Sequence, residues 1–284
     1  MKNFCFILLI FLFNNSSYAV DFIELKNDAM LSDTSYFSQN LIAEHLQENK
    51  YELIHYQELP ETALSYFLAS SSEGVQYLSF RGTSNLENAL VDIDVSLMTD
   101  EVLGIQLHQG FASATRAAYE NVKPYLNASQ PIVTTGHSLG GAVAVIMAMY
   151  LQKDGYLLDR VTTFGQPKVT NVFGARKFSN LPLTRVVTPK DIVPLVPPLS
   201  PLQLKDLDIY WHMGQEVLLL VDNKYARLEG LNSMMRATKF VSNVPDETNL
   251  TAHQMNTYIT KINQKIENSE QVNYEMSLFG FVFN

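Results

Sequence analysis

Ser138 lies between two glycines where a strand-like run of residues changes into a helix-like run. The segment is Thr134-Thr-Gly-His-Ser-Leu-Gly-Gly-Ala142, which places Gly136 and Gly140 two positions to either side of the serine. A turn this tight excludes side chains at both positions and forces the serine backbone into a strained conformation. The spacing predicts a nucleophile elbow with the Ser138 hydroxyl above a sheet. The backbone N–H of Leu139, which starts the helix, is expected to stabilise an oxyanion.

A serine hydroxyl needs a base and an orienting carboxylate before it can attack a carbonyl carbon. In a strand–turn–helix architecture these partners follow the serine along the chain, first the acid and then the histidine. Asp191 fits the acid because it follows a strand-like run and precedes a proline-rich loop. Weaker candidates, which have no strand before them, are Asp206, Asp208 and Asp222.

Two histidines follow the elbow, His212 and His253. His253 is the favoured base because it opens the last helix-like segment after a loop from Pro245 to Thr251, where its ring could reach the serine. His212 precedes an apolar strand, and we expect it to be structural. The base role stays open between the two histidines on this reasoning, with His253 ahead.

The N-terminal 19 residues have the pattern of a secretory signal peptide. Lys2 precedes an apolar run, Phe4 to Phe13, that is too short to span a bilayer. Ser17 and Ala19 provide the small residues that a signal peptidase requires. We therefore expect cleavage after Ala19 and a secreted or periplasmic protein, with an uncleaved anchor as the alternative.

Residues 20–284 are expected to form one α/β domain with a large core. Cys5, the only cysteine, lies in the signal segment, so disulfides and thiol catalysis are excluded from the mature chain. The net charge of −9 and the absence of a basic cluster argue against nucleic acid as a partner. No further stretch is apolar enough to cross a membrane, and no metal-ligand pattern is present, so neither a transmembrane span nor a metal or other cofactor is expected.

Strand-like and helix-like segments alternate along most of the chain. This alternation predicts a mostly parallel central sheet with helices on both faces. A single helix is predicted for Ser32 to Asn49. Further predicted segments are strands at 51–56, 63–69, 75–80, 132–135, 161–164, 184–187 and 217–221, and helices at 111–126 and 139–153.

Several segments besides the elbow form an ordered set between residues 75 and 258. They are Leu78–Ser84, Leu107–Phe111, Thr163–Val169 with Asn171, Arg185–Pro194 and Thr251–His253. With the elbow, they resemble the successive motifs of the class 3 lipase family, α/β-hydrolases typified by fungal triacylglycerol lipases. The resemblance implies Ser138 as nucleophile, Asp191 as acid and His253 as base. It also implies Thr83 as an oxyanion donor beside Leu139, and structural roles for His137 and His212.

The family carries a helical lid where residues 85–92 lie in this chain. Here Leu86, Ala89, Leu90 and Ile93 would share one apolar helix face. They form a candidate lid, with an ordinary surface helix as the alternative. Ala89 stands where many lipases carry a large aromatic residue, which argues against strong interfacial activation.

The elbow and its partners predict transfer of an acyl group to water through an acyl-enzyme. The resemblance implies a triacylglycerol lipase, or a related enzyme for long-chain carboxyl esters. Phospholipase A1-type, lysophospholipase and feruloyl esterase activities are alternatives. A catalytically silent lipid-binding or interaction module, or an acyltransferase, also stays open. The expected partners are a lipid or other ester substrate and, transiently, a lipid interface.

Overall fold

The computed structural model describes residues 19–83, 96–198, 208–237, 246–274, 276–278 and 281–283. Two predictions lie outside these residues. One is the signal peptide, of which only Ala19 is described. The other is the candidate lid of Leu86, Ala89, Leu90 and Ile93.

The strands begin near residue 51 and continue to the C-terminal segment. They are β1 Tyr51–Leu59, β2 Leu64–Ser71, β3 Gln76–Phe80, β4 Leu97–Asp100, β5 Ile105–His108, β6 Ile132–His137, β7 Leu158–Phe164, β8 Thr170–Asn171, β9 Leu183–Val187, β10 Tyr210–Trp211, β11 Gln215–Leu219, β12 Lys224–Leu228, β13 Glu270–Gln271, β14 Met276–Leu278 and β15 Phe281–Phe283. The helices are α1 Phe22–Thr34, α2 Gln39–Glu48, α3 Gln109–Val122, α4 Leu139–Lys153, α5 Val172–Lys177, α6 Gly230–Ala237, α7 Glu247–His253 and α8 Met255–Asn263.

The main sheet has a parallel centre. Within the described residues its strand order is β1-β2-β3-β6-β7-β9-β11-β12-β13, and β3, β6, β7, β9 and β11 run parallel. Thr134 of β6 is paired with Leu78 on one side and Val161 on the other. The carboxyl ends of these strands meet at one edge of the sheet, where the elbow follows β6 and Asp191 follows β9.

Helices cover both faces of this sheet. On one face α3 and α4 pack on the strands through a core that includes Phe111, Ile146 and Leu78. On the other face α1 and α8 pack through Leu25 and Tyr258. The predicted fold class is confirmed, since apolar side chains on both faces of a parallel strand require covering helices.

A smaller antiparallel sheet of order β10-β8-β5-β4 lies beside the main sheet. Strands β14 and β15 form a hairpin. No helix in the described part of the chain has both the length and the apolar character needed to cross a membrane.

The prediction of one helix from Ser32 to Asn49 is wrong. Helix α1 begins earlier, after Asp21, whose carboxylate accepts hydrogen bonds from two backbone N–H groups of the first turn. It ends at Thr34, and the chain is not helical again until Gln39. Near the break, the hydroxyls of Thr34 and Ser35 donate to backbone carbonyls three or four residues back. Such side-chain bonds compete with a continuing helix.

Candidate active site

The elbow has the strained geometry that its glycines predict. Ser138 has φ 59° and ψ −129° between β6 and α4, and its N–H donates to the Phe164 carbonyl at 2.9 Å. A Cβ at Gly136 would lie 2.5 Å from the backbone of Gly140, and a Cβ at Gly140 would collide with the carbonyl of Phe80. Both positions therefore require glycine. The positive φ lifts Ser138 out of the strand direction and places it at the N-terminus of α4.

The chain segment after β3 passes directly against this elbow. A Cβ added at Gly82 would lie 2.6 Å from the His137 carbonyl oxygen and 3.0 Å from Ser138 Cβ. The next residue, Thr83, is partly buried. Leu139 is the first residue of α4, and the first N–H groups of a helix have no partner within it. Of the two predicted oxyanion donors, Leu139 thus directly follows the serine, and Thr83 directly follows Gly82.

Asp191 and His253, 62 positions apart in the chain, meet in a buried hydrogen bond. His253 Nδ1 lies 2.8 Å from Asp191 Oδ2. Asp191 Oδ1 accepts from the Val193 N–H at 2.8 Å, and the Tyr258 hydroxyl donates to Oδ2 at 2.5 Å. Burial alone would raise the pKa of Asp191, but attraction to His253 and these three hydrogen bonds outweigh it and lower that pKa. The carboxylate is therefore held ionised, as an orienting acid must be.

The other imidazole nitrogen of His253 has no hydrogen-bond partner among the described residues. Nε2 is buried and unpartnered, so the described residues include no hydrogen bond between it and Ser138 Oγ. This bond is often long in free enzymes and shortens in the substrate complex. The Gly165 backbone lies against both the His253 ring and the Asp191 carboxylate, at φ 57°. Gly165 follows Phe164, which binds the Ser138 N–H, so the ring lies beside the elbow.

A chain of hydrogen bonds connects the Gly82 segment to His253 through His137. The Nε2–H of His137 donates to the His253 carbonyl at 2.7 Å, because a carbonyl can only accept. Its Nδ1 therefore accepts from the Tyr36 hydroxyl, also at 2.7 Å, and the Tyr36 oxygen accepts from the Gly82 N–H. Burial, followed by the nearby His253, lowers the pKa of His137 to about 3. His137 is thus neutral and does not act as a base. It connects the segment that contains Gly82 to His253.

Three residues of this site had no role in the sequence prediction: Tyr36, Tyr258 and Gly165. Gly165 lies inside the family-like segment Thr163–Val169, so its spacing could have indicated a close approach. Tyr36 lies before that ordered set, in a segment predicted as continuous helix. Tyr258 follows His253 by five positions and carries no recognisable motif.

The alternative candidates for the base and the acid have other positions in the described structure. His212 Nε2 donates to the Pro194 carbonyl at 2.7 Å, and its Nδ1 has no partner in the described structure. Asp208 accepts from Asn171, and Asp222 occupies a turn with φ 53°. Asp206 lies outside the described residues. Among the described candidates, the geometry brings Asp191 and His253 together beside the Ser138 elbow.

Replacing Tyr258 with phenylalanine tests whether the tyrosine hydroxyl lowers the pKa of Asp191 in the Asp191–His253 pair. Without the hydroxyl, the pKa of Asp191 should rise, because a donor to the ionised carboxylate is lost. We expect the acidic limb of the kcat/KM profile for ester hydrolysis to move up by several tenths of a pH unit to about one unit. Tyr274→Phe, outside the site, is the control. An unchanged profile for Tyr258→Phe would assign this tyrosine to packing alone.

The chain is similar in fold to solved structures of lipases. Among solved structures, the lipase from Rhizopus microsporus var. chinensis superposes with a TM-score of 0.59 and 25% identity, covering 71% of this chain and 75% of that chain. A triacylglycerol lipase whose catalytic centre is described as a serine protease triad gives a TM-score of 0.57 at 26% identity, covering 71% of this chain and 81% of that one. The fold is that of the α/β-hydrolases.

Residues 77–200 match the family model described as Lipase (class 3). A secreted mono- and diacylglycerol lipase 1 from Fusarium solani is 34% identical over 149 residues, which are 49% of this chain and 44% of the relative. A lipase from Rhizopus niveus is 33% identical over 148 residues, which are 48% of this chain and 38% of the relative. The match thus spans less than half of these curated relatives. Residues 77–200 are therefore similar to the class 3 lipase family, which the sequence motifs also resemble.

Proposed function

We propose that this protein is a secreted serine carboxylic ester hydrolase that acts on lipid esters. The observation that carries the proposal is the buried Asp191–His253 hydrogen bond, with the unpartnered Nε2 of His253 beside the Ser138 elbow. His212 also has one unpartnered ring nitrogen, but its other nitrogen donates to the Pro194 carbonyl, whereas His253 Nδ1 is held by the buried carboxylate of Asp191. A general base must keep one nitrogen available for the proton of the nucleophile.

The reaction follows from the positions of these groups. His253 Nε2 takes the proton of the Ser138 hydroxyl as the oxygen attacks the ester carbonyl. Asp191 stabilises the imidazolium that results and stays ionised itself. Protonation of the leaving alcohol by His253 yields the acyl-enzyme, and water then releases the carboxylic acid by the same steps. No cofactor takes part.

The developing oxyanion would accept hydrogen bonds from the N–H of Leu139 and from the hydroxyl and N–H of Thr83. Each such donor contributes about 2.7 to 4 kcal/mol of transition-state stabilisation in serine hydrolases. The N-terminus of α4 adds positive potential at the same point. Thr83 follows Gly82, whose N–H binds the Tyr36 hydroxyl. Through its bonds to Tyr36 and His253, His137 would therefore fix the position of Thr83 relative to the base.

Triacylglycerol is the proposed first substrate class, with mono- and diacylglycerols included. The support is similarity to lipases, one of which is named a mono- and diacylglycerol lipase. Phospholipase A1-type or lysophospholipase activity is the second candidate, since the elbow and triad select an ester carbonyl and not its alcohol. The predictions of a signal peptide, a single domain and a lid over Leu86 to Ile93 stay part of this proposal.

The direct test compares the mature chain with its Ser138→Ala variant. Fatty-acid release is measured from triacylglycerol emulsion, phosphatidylcholine vesicles and a soluble p-nitrophenyl ester. We expect serine-dependent release, fastest from triacylglycerol, and a loss of about 10³-fold or more in the variant. Equal rates for the two proteins would favour a lipid-binding module. Serine-dependent release confined to phosphatidylcholine would favour the phospholipase.

A further inference from the structure

Thr188 follows strand β9 directly and is 1% exposed. The proposed reaction does not use its side chain. Its carbonyl accepts from the Asp191 N–H at 3.2 Å, and its own N–H binds the Tyr258 hydroxyl oxygen. Tyr258 in turn donates to the Asp191 carboxylate. The backbone of Thr188 therefore holds the acid both directly and through the tyrosine.

The side chain of Thr188 contacts the helix that carries the base. Its Oγ1 donates to the Ala252 carbonyl at 2.9 Å, in a buried bond between residues 64 positions apart. Ala252 is directly followed by His253, so the accepting carbonyl belongs to the peptide group that joins these two residues. A shift of this peptide group moves the Cα of His253 and, with it, the imidazole ring.

Helix α7 ends with the base itself, and the last carbonyls of a helix have no partner within it. The carbonyl of Thr251 accepts from the Gln254 N–H at 3.2 Å and from the Thr257 hydroxyl at 2.7 Å. The next carbonyl, that of Ala252, accepts from Thr188. A substitution at Thr188 thus removes the side-chain donor beside the base, whereas a substitution at Thr257 leaves the Thr251 carbonyl with its backbone donor.

The relative position of acid and base limits the rate of a triad. Displacement of a catalytic group by about 1 Å can lower the rate by about 10²-fold. We propose that Thr188 is a positioning residue, which holds the backbone of His253 at the distance from Asp191 that their hydrogen bond requires. The carbonyl of Thr188 fixes the acid and its hydroxyl fixes the base, so one residue sets their separation. Its effect on catalysis rests on the proposed function, in which His253 is the general base.

Valine and serine separate the hydroxyl of Thr188 from its shape. Thr188→Val keeps the branched side chain and loses the donor, whereas Thr188→Ser keeps the donor and loses a methyl group. We expect Thr188→Val to lower kcat for a soluble p-nitrophenyl ester by about tenfold or more, with KM within about twofold of the parent. Thr188→Ser should retain kcat within about threefold. Equal losses in the two variants would assign Thr188 to packing and overturn the proposal.

Thr257→Val is the matched control, because it also removes a hydroxyl donor from the end of α7. The Thr251 carbonyl keeps its bond from the Gln254 N–H, so kcat should stay within about twofold of the parent. Rates are measured well below the thermal midpoint of each variant, and circular dichroism verifies folding. A loss in Thr257→Val equal to that in Thr188→Val would show a general loosening of α7 and contradict the assignment.

Proton NMR tests the same role without turnover. The proton between His253 Nδ1 and Asp191 resonates far downfield when that bond is short, and the resonance is assigned by its loss in His253→Ala. We expect it in the parent, in Thr188→Ser and in Thr257→Val, and its upfield shift or loss in Thr188→Val. If the parent hydrolysed no ester but gave these spectra, the proposed function would fail and the positioning role would stand. Folded Thr188→Val with unchanged kcat and an unchanged resonance would overturn that role.

Discussion

His253→Ala is expected to lower kcat for ester hydrolysis by about 10³-fold or more while leaving the fold intact. In the described part of the chain, the His253 imidazole is bound to Asp191 and lies beside the elbow. Without it, the Ser138 hydroxyl keeps its proton and attacks poorly. The measurement is turnover of a soluble p-nitrophenyl ester, so that lid or interface effects do not contribute. Circular dichroism and the thermal midpoint verify folding.

His212→Ala is the matched control. Its loss leaves the Pro194 carbonyl without its donor, so we expect a stability decrease of about 1–3 kcal/mol and turnover within about tenfold of the parent. If His212→Ala abolished turnover and His253→Ala retained it, the base role would pass to His212.

Glu216→Ala is expected to destabilise the protein by about 3–5 kcal/mol, because it leaves the buried guanidinium groups of Arg185 and Arg236 without their carboxylate. That is a large fraction of the roughly 5–15 kcal/mol by which a domain is stable. Burial would raise the pKa of Glu216, but the two arginines and the Ser233 hydroxyl outweigh it and lower that pKa. The stabilisation is thus present above the unfolded pKa near 4.5 and is lost as pH falls through the lower folded value.

Urea unfolding at neutral pH measures this effect, with Glu229→Ala as control. Glu229 is exposed and lies 3.9 Å from Arg227, so its removal should change the free energy of unfolding by less than about 0.5 kcal/mol. Equal effects of the two substitutions would show that the buried pairs contribute no net stability.

Much of the architecture was predictable because local patterns specify it. The β-branched run before Gly136 and the glycine-free run after Gly141 predict the junction of β6 and α4, and the structure has it there. The order of serine, acid and histidine follows from a parallel sheet, whose strands all end at one edge. Helix α4 has the predicted bounds, because buried apolar residues with good helix propensity leave no competing conformation.

Other features depend on contacts between distant parts of the chain. His253 was predicted to open a helix, but it ends α7, where the Thr188 hydroxyl donates to the carbonyl of the preceding residue, Ala252. Tyr36 meets His137 from 101 positions away, and Tyr258 meets Asp191 from 67. No local sequence pattern predicts such pairs, because two residues that far apart in the chain come together only through the path of the chain between them.

Residue types along the chain predict which serine is strained into an elbow, which carboxylate and histidine follow it, and that a parallel sheet carries them. Backbone sterics and hydrophobic periodicity act over a few residues, so they can be predicted from the residue types. Packing of distant segments brings Tyr258 and Val193 to Asp191, joins Tyr36 to His253 through His137, and buries Arg185 and Arg236 against Glu216. Those outcomes depend on burial and on through-space charge, which exist only once distant segments pack together.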